Sequence, residues 1–401
     1  MSERVLTTRE LNRALLARQL LLRRRRLSAP RAIERVGALQ AQWPPSPYIA
    51  LWSRLEGFRR ERLMREVEAR RVVKSTLMRE TLHLVSSADY LGYGGLFTRA
   101  RAARIERELA KAPGDADLDE LTRELVRHTS ESPRSRPELL ALLGRPRLTS
   151  TERRPWLEWH MLTARGGLVH TPAGSVWRKP GGSRYVPAST WLGADGRDGG
   201  AAATHLVNRY LSAFGPATRA DAAQWTGLAV GILEQAFSEL ALRTFRDERG
   251  RQLFDVPRGP LPSATIEAPV RFLPMWDSSL LAHADRSRIL PEEHRKTVIR
   301  KNGDVLPSFL VDGFVAGTWG VEDGRVQLES FEPLPRDVRR ALRGSCVGGV
   351  LRLTLSLRTR GRAGTQTQRR ERQAGSTNRR RQETPRPRRS RDPRRSARRR
   401  R

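Results

Sequence analysis

Two glutamines stand two positions apart in the run Gln40-Ala41-Gln42-Trp43, and Pro44, Pro45 and Pro47 follow at once. Proline lacks an amide donor and pushes the residue before it out of the helical region, so a helix reaching Leu39 gives way here to extended chain. In extended chain residues i and i+2 project to one side, which lets Gln40 and Gln42 address one small volume while Ala41 points into the core. A carboxamide is no general base near neutral pH. It accepts a hydrogen bond from water and sets a carbonyl dipole beside a developing positive charge. That chemistry suits hydrolysis in which the leaving group already carries positive charge. Two glutamines at a helix end more often face solvent or cap backbone groups, so the pair alone decides nothing.

Other chemistry finds little support. There is no P-loop, GxGxxG, HExxH or GxSxG motif, which argues against ATPases, dinucleotide enzymes and the common hydrolases. The seven histidines, His83, His128, His160, His170, His205, His283 and His294, show no close ligand spacing. Cys346 is the sole cysteine, which excludes an intramolecular disulfide and any cysteine zinc cluster and points to a reducing compartment. We therefore expect no metal and no cofactor. The 401 residues carry 76 basic and 43 acidic side chains, a net charge of +33. Residues 357–401 hold nineteen arginines against three acids, a net of +16, and the rest keeps +17. A balance this basic suits a polyanion, because neutralising phosphates releases condensed counterions. No apolar run reaches the roughly 18 residues that span a bilayer, and the N-terminus is too charged for a secretory signal. The expected location is cytoplasmic and nucleoid-associated, away from membranes.

The elements that must position the glutamines follow from periodicity and caps. Thr7 or Thr8 caps a helix with Leu11, Leu15, Leu16 and Leu20 inward; Ser28 and Pro30 open a second with Ile33, Val36 and Leu39. A third amphipathic stretch, 60–69, precedes apolar segments 72–78 and 81–85 that pair as a wing. The plan recurs: Ser135 caps a helix with Leu139 and Leu143, 151–163 forms another, and 168–170 with Val176-Trp177 makes a second wing. In a third copy Thr218 caps a helix through Trp225, Gly227 turns the chain and 230–242 is helical. From residue 268 the pattern becomes strand-like at 270–276, 305–311, 314–319 and 326–331, with hairpins at Asp312-Gly313 and at Glu322-Asp323-Gly324. The reading is α+β, in tandem winged-helix units: 1–115 with the Gln-x-Gln pair, 116–195, 200–265, then a β-rich hairpin element 266–335. Linkers fall at 112–116 and 193–203. Residues 336–401 end in an arginine-rich tail too poor in apolar residues to fold. It reads either as a basic arm or as out-of-frame translation.

Five blocks, in order, carry a resemblance: Val36-Gly37-Ala38-Leu39-Gln40-Ala41-Gln42; Ala50-Leu51-Trp52-Ser53-Arg54-Leu55; Met78-Arg79-Glu80-Thr81-Leu82-His83-Leu84-Val85; Leu273-Pro274-Met275-Trp276-Asp277 with His283-Ala284-Asp285-Arg286-Ser287-Arg288; and Leu310-Val311-Asp312-Gly313 with Ala316-Gly317-Thr318-Trp319. Over about residues 7–335 the chain resembles the winged-helix DNA-binding family of the AlkZ and YcaQ DNA glycosylases. The resemblance implies tandem winged helices around a C-shaped channel for duplex DNA, a β-hairpin at the DNA, and hydrolysis of N-glycosidic bonds of bulky or crosslinking alkylpurines. It implies Gln40 and Gln42 as the catalytic pair, in the Gln-apolar-Gln form of the AlkZ branch.

Arg79, His83, His283, Arg286 and Arg288 are the candidate DNA-binding residues, each weighed against a structural role. Asp285 with Arg286 reads equally as a structural ion pair. Trp43, Trp52, Trp276 and Trp319 read as core, Arg54 and Lys74 as ordinary basic surface, and Arg23 to Arg26 as a solvated helix end. The expected molecule is a monomer that embraces duplex DNA and works without a Schiff-base lysine. The alternative is a non-enzymatic winged-helix DNA binder or transcription regulator, since fold does not fix function.

Overall fold

The computed structural model describes residues 3–359 except 112–113, 115, 145–154, 176, 178–181, 195, 198, 323–324 and 347–354. Strand β1 (Val5–Leu6) leads into helix α1 (Thr8–Arg18), opened by a capping box between Thr7 and Glu10. Helix α2 (Ala29–Val36) carries Pro30 in its first turn and ends at Gly37, φ +89°. A Cβ at Gly37 would meet the Phe214 ring at 2.9 Å, so both the backbone angle and the contact require glycine. Then come β2 (Leu39–Gln40), α3 (Ser46–Arg54), α4 (Arg60–Glu68), β3 (Val72–Thr76) and β4 (Leu82–Ser86). The sequence reading overlooked α3. The prolines that end the extended segment also begin this helix, where a missing amide hydrogen costs nothing.

Helix α5 (Ser87–Leu109) is capped by the Ser86 hydroxyl. It is followed by α6 (Leu118–Glu131), β5 (Arg134–Ser135), α7 (Arg136–Leu142, with a Ser135–Glu138 capping box), α8 (Pro155–Arg165), β6 (Leu168–His170) and β7 (Arg184–Pro187). The partner of β6 is β7, not the expected Val176-Trp177 segment, of which Val176 lies outside the described residues. After α9 (Ala188–Leu192), helix α10 (Gly199–Phe214) takes in residues 199–203, which were expected to be linker. Ala201, Ala202 and Ala203 are strong helix formers, and Ala202 and Ala203 are buried. Helix α11 (Arg219–Thr226) starts with a Thr218–Asp221 capping box and ends at left-handed Gly227; α12 (Val230–Glu239) follows. The chain continues as β8 (Arg243–Asp247), β9 (Gln252–Asp255), β10 (Arg271–Leu273), α13 (Glu292–Val298), β11 (Ser308–Val311), β12 (Phe314–Glu322), β13 (Arg325–Ser330), α14 (Arg336–Cys346) and β14 (Leu355–Thr359).

Among the described residues the strands make three sheets, ordered β1-β8-β9, β10-β11-β12-β13-β14 and β2-β4-β3-β6-β7-β5. The six-stranded sheet runs across the boundary placed at 115–116, because β3 joins β6 at Lys74 and His170. Between β11 and β12, Asp312 and Gly313 both have positive φ, +44° and +86°, as a two-residue hairpin demands. The second expected hairpin lies between β12 and β13, but Asp323-Gly324 is outside the described residues, as is the tail from 360.

One large core draws on α1, β3, β4, α5, β6, α10, α11, α12 and the loop after β10, and in it the rings of Tyr210, Phe214 and Trp225 pack against one another at a tilt. A second packs Trp52 of α3 against Phe272, Phe309 and Trp319 of the five-stranded sheet. Two fully buried ion pairs stitch distant segments: Arg18 to Asp255 at 2.9 Å, and Arg54 to Asp277 through two bonds of 2.8 and 2.9 Å.

Candidate active site

Gln40 and Gln42 lie along the start of β4. In the antiparallel β2–β4 pair Leu39 faces Leu84 and Gln40 faces His83, and the Ala41 amide donates to the Leu82 carbonyl at 2.7 Å. Gln40 is 6 % exposed and Ala41 is buried, whereas Gln42 is exposed. Gln40 Oε1 accepts a 3.3 Å bond from Arg79 Nη2; Gln42 Oε1 accepts one of 3.3 Å from the Leu82 amide. Each amide oxygen has a second lone pair, so both keep an acceptor for a further donor.

The backbone around Gln40 is unusual. Arg79 and Glu80, in the turn between β3 and β4, take φ of +51° and +57°, and Trp276, after β10, takes +56°. Left-handed non-glycine residues cost of order 1–2 kcal/mol each and gather where function demands a fixed geometry. Arg79 is held by the Trp225 carbonyl at the end of α11, and Gly227 packs against its backbone, where a Cβ would lie 3.0 Å from Arg79 Cα. Glu80 is held by a bidentate bond from Arg104, 2.5 Å on each arm. Burial and neighbouring Arg286 push the Arg79 pKa down to about 10, which leaves it charged at neutral pH.

Beside Gln40 lies a cavity of about 10 Å³, lined by Gln19, Arg54, Trp276, Asp277 and Ser278 among others. That is about the least space that admits one water and far too little for a purine. Its floor is the Arg54–Asp277 pair, with Arg54 also within 3.4 Å of Gln19 Oε1 and 3.1 Å of Ser279 Oγ. Arg54 is thus a buried ion-pair partner beside Gln40, where ordinary surface was expected. Lys74 is corrected too: it is 5 % exposed, donates to the Gly174 carbonyl at 2.6 Å, and burial lowers its pKa to about 8.

Of the five proposed DNA-binding residues two are half-buried, Arg79, whose guanidinium bonds the Trp225 carbonyl and Gln40, and Arg286. Arg286 donates to the Leu280 carbonyl at 3.0 Å and borders a cleft of about 350 Å³ shared with Arg249 and Arg295, two cations the sequence reading did not single out. The other three are corrected. His83 is 0 % exposed; Nδ1 bonds the Thr81 carbonyl at 3.0 Å, and burial with Arg79 pushes its pKa down to about 3, so it is a neutral imidazole rather than a phosphate ligand. His283 is buried with Nε2 on the Phe214 carbonyl at 3.0 Å, and burial with Arg288 lowers its pKa to about 3 as well. Arg288 is buried on the Pro216 carbonyl at 2.9 Å. These two tie the segment after β10 to the end of α10 and the turn that follows it. Asp285 pairs with Arg249 and Arg251, not with Arg286. Trp52 and Trp319 are core, while Trp43 and Trp276 are half-buried near the glutamines.

Residues 33–346 match the AlkZ-like DNA glycosylase family, which is most of the chain and extends through α14, beyond where the sequence resemblance was drawn to a close. The chain belongs to that family. A curated relative, an interstrand DNA cross-link repair glycosylase of Streptomyces sahachiroi, is 28 % identical over 337 residues, covering 80 % of this chain and 89 % of the relative. The solved structure of the S. sahachiroi DNA glycosylase AlkZ superposes with a TM-score of 0.70 at 24 % identity, over 88 % of this chain and all of the other. The mixed α and β architecture is therefore that of the AlkZ fold. Among the described residues of this AlkZ-like protein no cluster of three metal-binding side chains occurs, and no helix is long and apolar enough to cross a membrane.

The sequence reading missed the Arg54–Asp277 floor, although both residues stand in quoted blocks, Ala50 to Leu55 and Leu273 to Asp277. That shared membership was the available signal. It also missed the strained turn at Arg79 and Glu80, for which the sequence offers no glycine or asparagine cue.

Proposed function

We propose that this AlkZ-like protein hydrolyses the N-glycosidic bond of cationic alkylated purines in duplex DNA, including bulky and crosslinked adducts, with Gln40 and Gln42 placing the water. The observation that carries the reading is the pair of glutamine oxygens at the edge of β4, Gln40 beside a water-sized cavity and held by Arg79. In the reaction the bond from C1′ to the purine N9 breaks and its electron pair passes into the ring, which quenches the charge of the N7-alkyl group. The water oxygen bonds C1′ and its proton passes to solvent. The glutamine oxygens orient that water and set their dipoles against the oxocarbenium charge, so no base of pKa near 7 is needed. The products are a free, neutral alkylpurine and an abasic site.

The lysines favour a monofunctional glycosylase. The chain has five, Lys74, Lys111, Lys179, Lys296 and Lys301. Among the described residues only Lys74 lies in the sheet that carries Gln40, and there it is paired with Leu84, next to the His83 position opposite Gln40, so it projects to the other face. It is poorly placed to attack C1′ as a Schiff-base nucleophile. For the wider molecule we propose three winged-helix units, the third being α10, α11, α12 and the β8–β9 hairpin. They form a C-shaped channel with Arg79 and Arg286 on its phosphate-facing wall, in a monomer bound to the nucleoid in the cytoplasm.

The test is an excision assay on a defined duplex carrying one N7-methylguanine, and on a duplex with an N7-guanine interstrand crosslink. Release of the free base from the first duplex and separation of the crosslinked strands of the second, with strand breakage only after alkali, are the expected results. Binding with neither base release from the first duplex nor unhooking of the second would refute the reading and favour the regulator alternative.

A further inference from the structure

His83 was displaced above from the DNA surface, and its burial leaves a question of hydrogen bonding. Its Nδ1 sits on the Thr81 carbonyl, an acceptor, so in the neutral ring the proton is on Nδ1 and Nε2 offers a lone pair. That Nε2 is buried without a partner. A buried acceptor left bare is destabilising, and such atoms call for an explanation.

The register supplies the candidate donor. Gln40 stands directly opposite His83 in the β2–β4 pair, so both side chains leave the same face with Cβ atoms about 5 Å apart. The orientation of the Gln40 amide is forced from its other end. Arg79 is a donor with no acceptor, so the Gln40 atom facing it is the oxygen, and the amide NH₂ takes the opposite side of the group. The structure shows no bond between that NH₂ and His83 Nε2; a rotation of the Gln40 amide that closed it would make Thr81 carbonyl, His83 Nδ1–H, His83 Nε2, Gln40 N–H, Gln40 oxygen and Arg79 alternate acceptor and donor without conflict.

We infer that His83 is a positioning residue for Gln40: its Nε2 accepts the Gln40 amide hydrogen and fixes the Gln40 oxygen toward the attacking water. The inference rests on the proposed role of Gln40. It assigns His83 no proton transfer, since burial keeps the ring neutral at working pH. Ser75 faces His83 from the other flank in β3, with its Oγ buried and beside the Tyr90 hydroxyl, so it is the competing donor.

The experiment uses the full chain with single-turnover release of N7-methylguanine, duplex affinity, and side-chain ¹⁵N shifts of His83. The Nδ1-protonated tautomer is expected, with an Nε2 resonance that moves on Gln40→Ala and stays on Ser75→Ala. His83→Phe, which removes the acceptor, loses about 10-fold to 100-fold in rate at unchanged affinity; His83→Gln, which restores an acceptor oxygen, recovers most of it. Ser75→Ala keeps the wild-type rate. A His83→Phe enzyme at full rate, alongside an inactive Gln40→Ala, overturns the inference and leaves the function standing. An Nε2 shift indifferent to Gln40→Ala overturns it even where His83→Phe fails to fold. A wild-type protein that releases no base refutes the function itself, a separate outcome.

Discussion

At the scale of single residues, three imidazoles are held neutral by burial: His83, His170 and His283, each pushed from an ordinary 6.5 down to about 3. In the unfolded chain they take up protons near pH 6.5 and in the folded one only near pH 3. Between those values the unfolded state binds more protons, so stability is full above pH 6.5 and falls as pH drops toward 3. Urea unfolding midpoints at pH 7.5 and pH 5 are expected to differ in that direction, with a smaller difference in His283→Gln than in wild type. Excision, by contrast, depends on no group titrating between pH 5 and 8, and its rate on a cationic lesion is expected to stay flat there. The sequence exposed the glutamine pair because two amides after a helix and before three prolines form a local pattern. It could not expose the partners of that pair. Arg54 meets Asp277 across 223 positions, and no periodicity encodes a contact so distant.

Among the elements, β2 matters most: two residues long, it sets the height of Gln40 on β4. Its approach is fixed by Gly37, and Gly37→Ala is expected to cost at least about 1 kcal/mol in thermal unfolding and to slow excision, because the methyl group would displace α2 from Phe214. Its floor is fixed by Arg54 and Asp277. Removing either charge strands the other in the interior, so Arg54→Ala and Asp277→Ala are each expected to destabilise the fold by about 3–5 kcal/mol in denaturant unfolding. Caps and hairpin chemistry were legible: the Thr7, Ser135 and Thr218 capping boxes and the Asp312-Gly313 turn stand where the residues put them. Helices α3 and α10 were not. Pro45 and Pro47 open the first and Gly199-Gly200 the second, residue types that otherwise mark turns and linkers, and burial against the core decided the matter.

The whole molecule is a basic body in which many cations are already spent on internal carbonyls and carboxylates. Arg13, Arg18, Arg54 and Arg288 are all buried, so the net charge overstates what faces DNA. Arg286→Glu, at an accessible position, is expected to weaken duplex binding and to flatten the dependence of log K on log salt by about one unit or more. Arg288→Gln, at a buried one, is expected to lower stability and leave that slope unchanged. Truncation after residue 359 removes an arginine-rich segment but none of the family match, and is expected to preserve the excision rate while lowering affinity at low salt.

The central claim is that two carboxamides place the water that attacks C1′. Single-turnover release of N7-methylguanine by wild type, Gln40→Ala and Gln42→Ala, at enzyme concentrations that saturate the duplex, addresses it most directly. The account predicts rates about 10²-fold to 10³-fold below wild type for each variant, with duplex affinity nearly intact. Wild-type rates in both variants would contradict it.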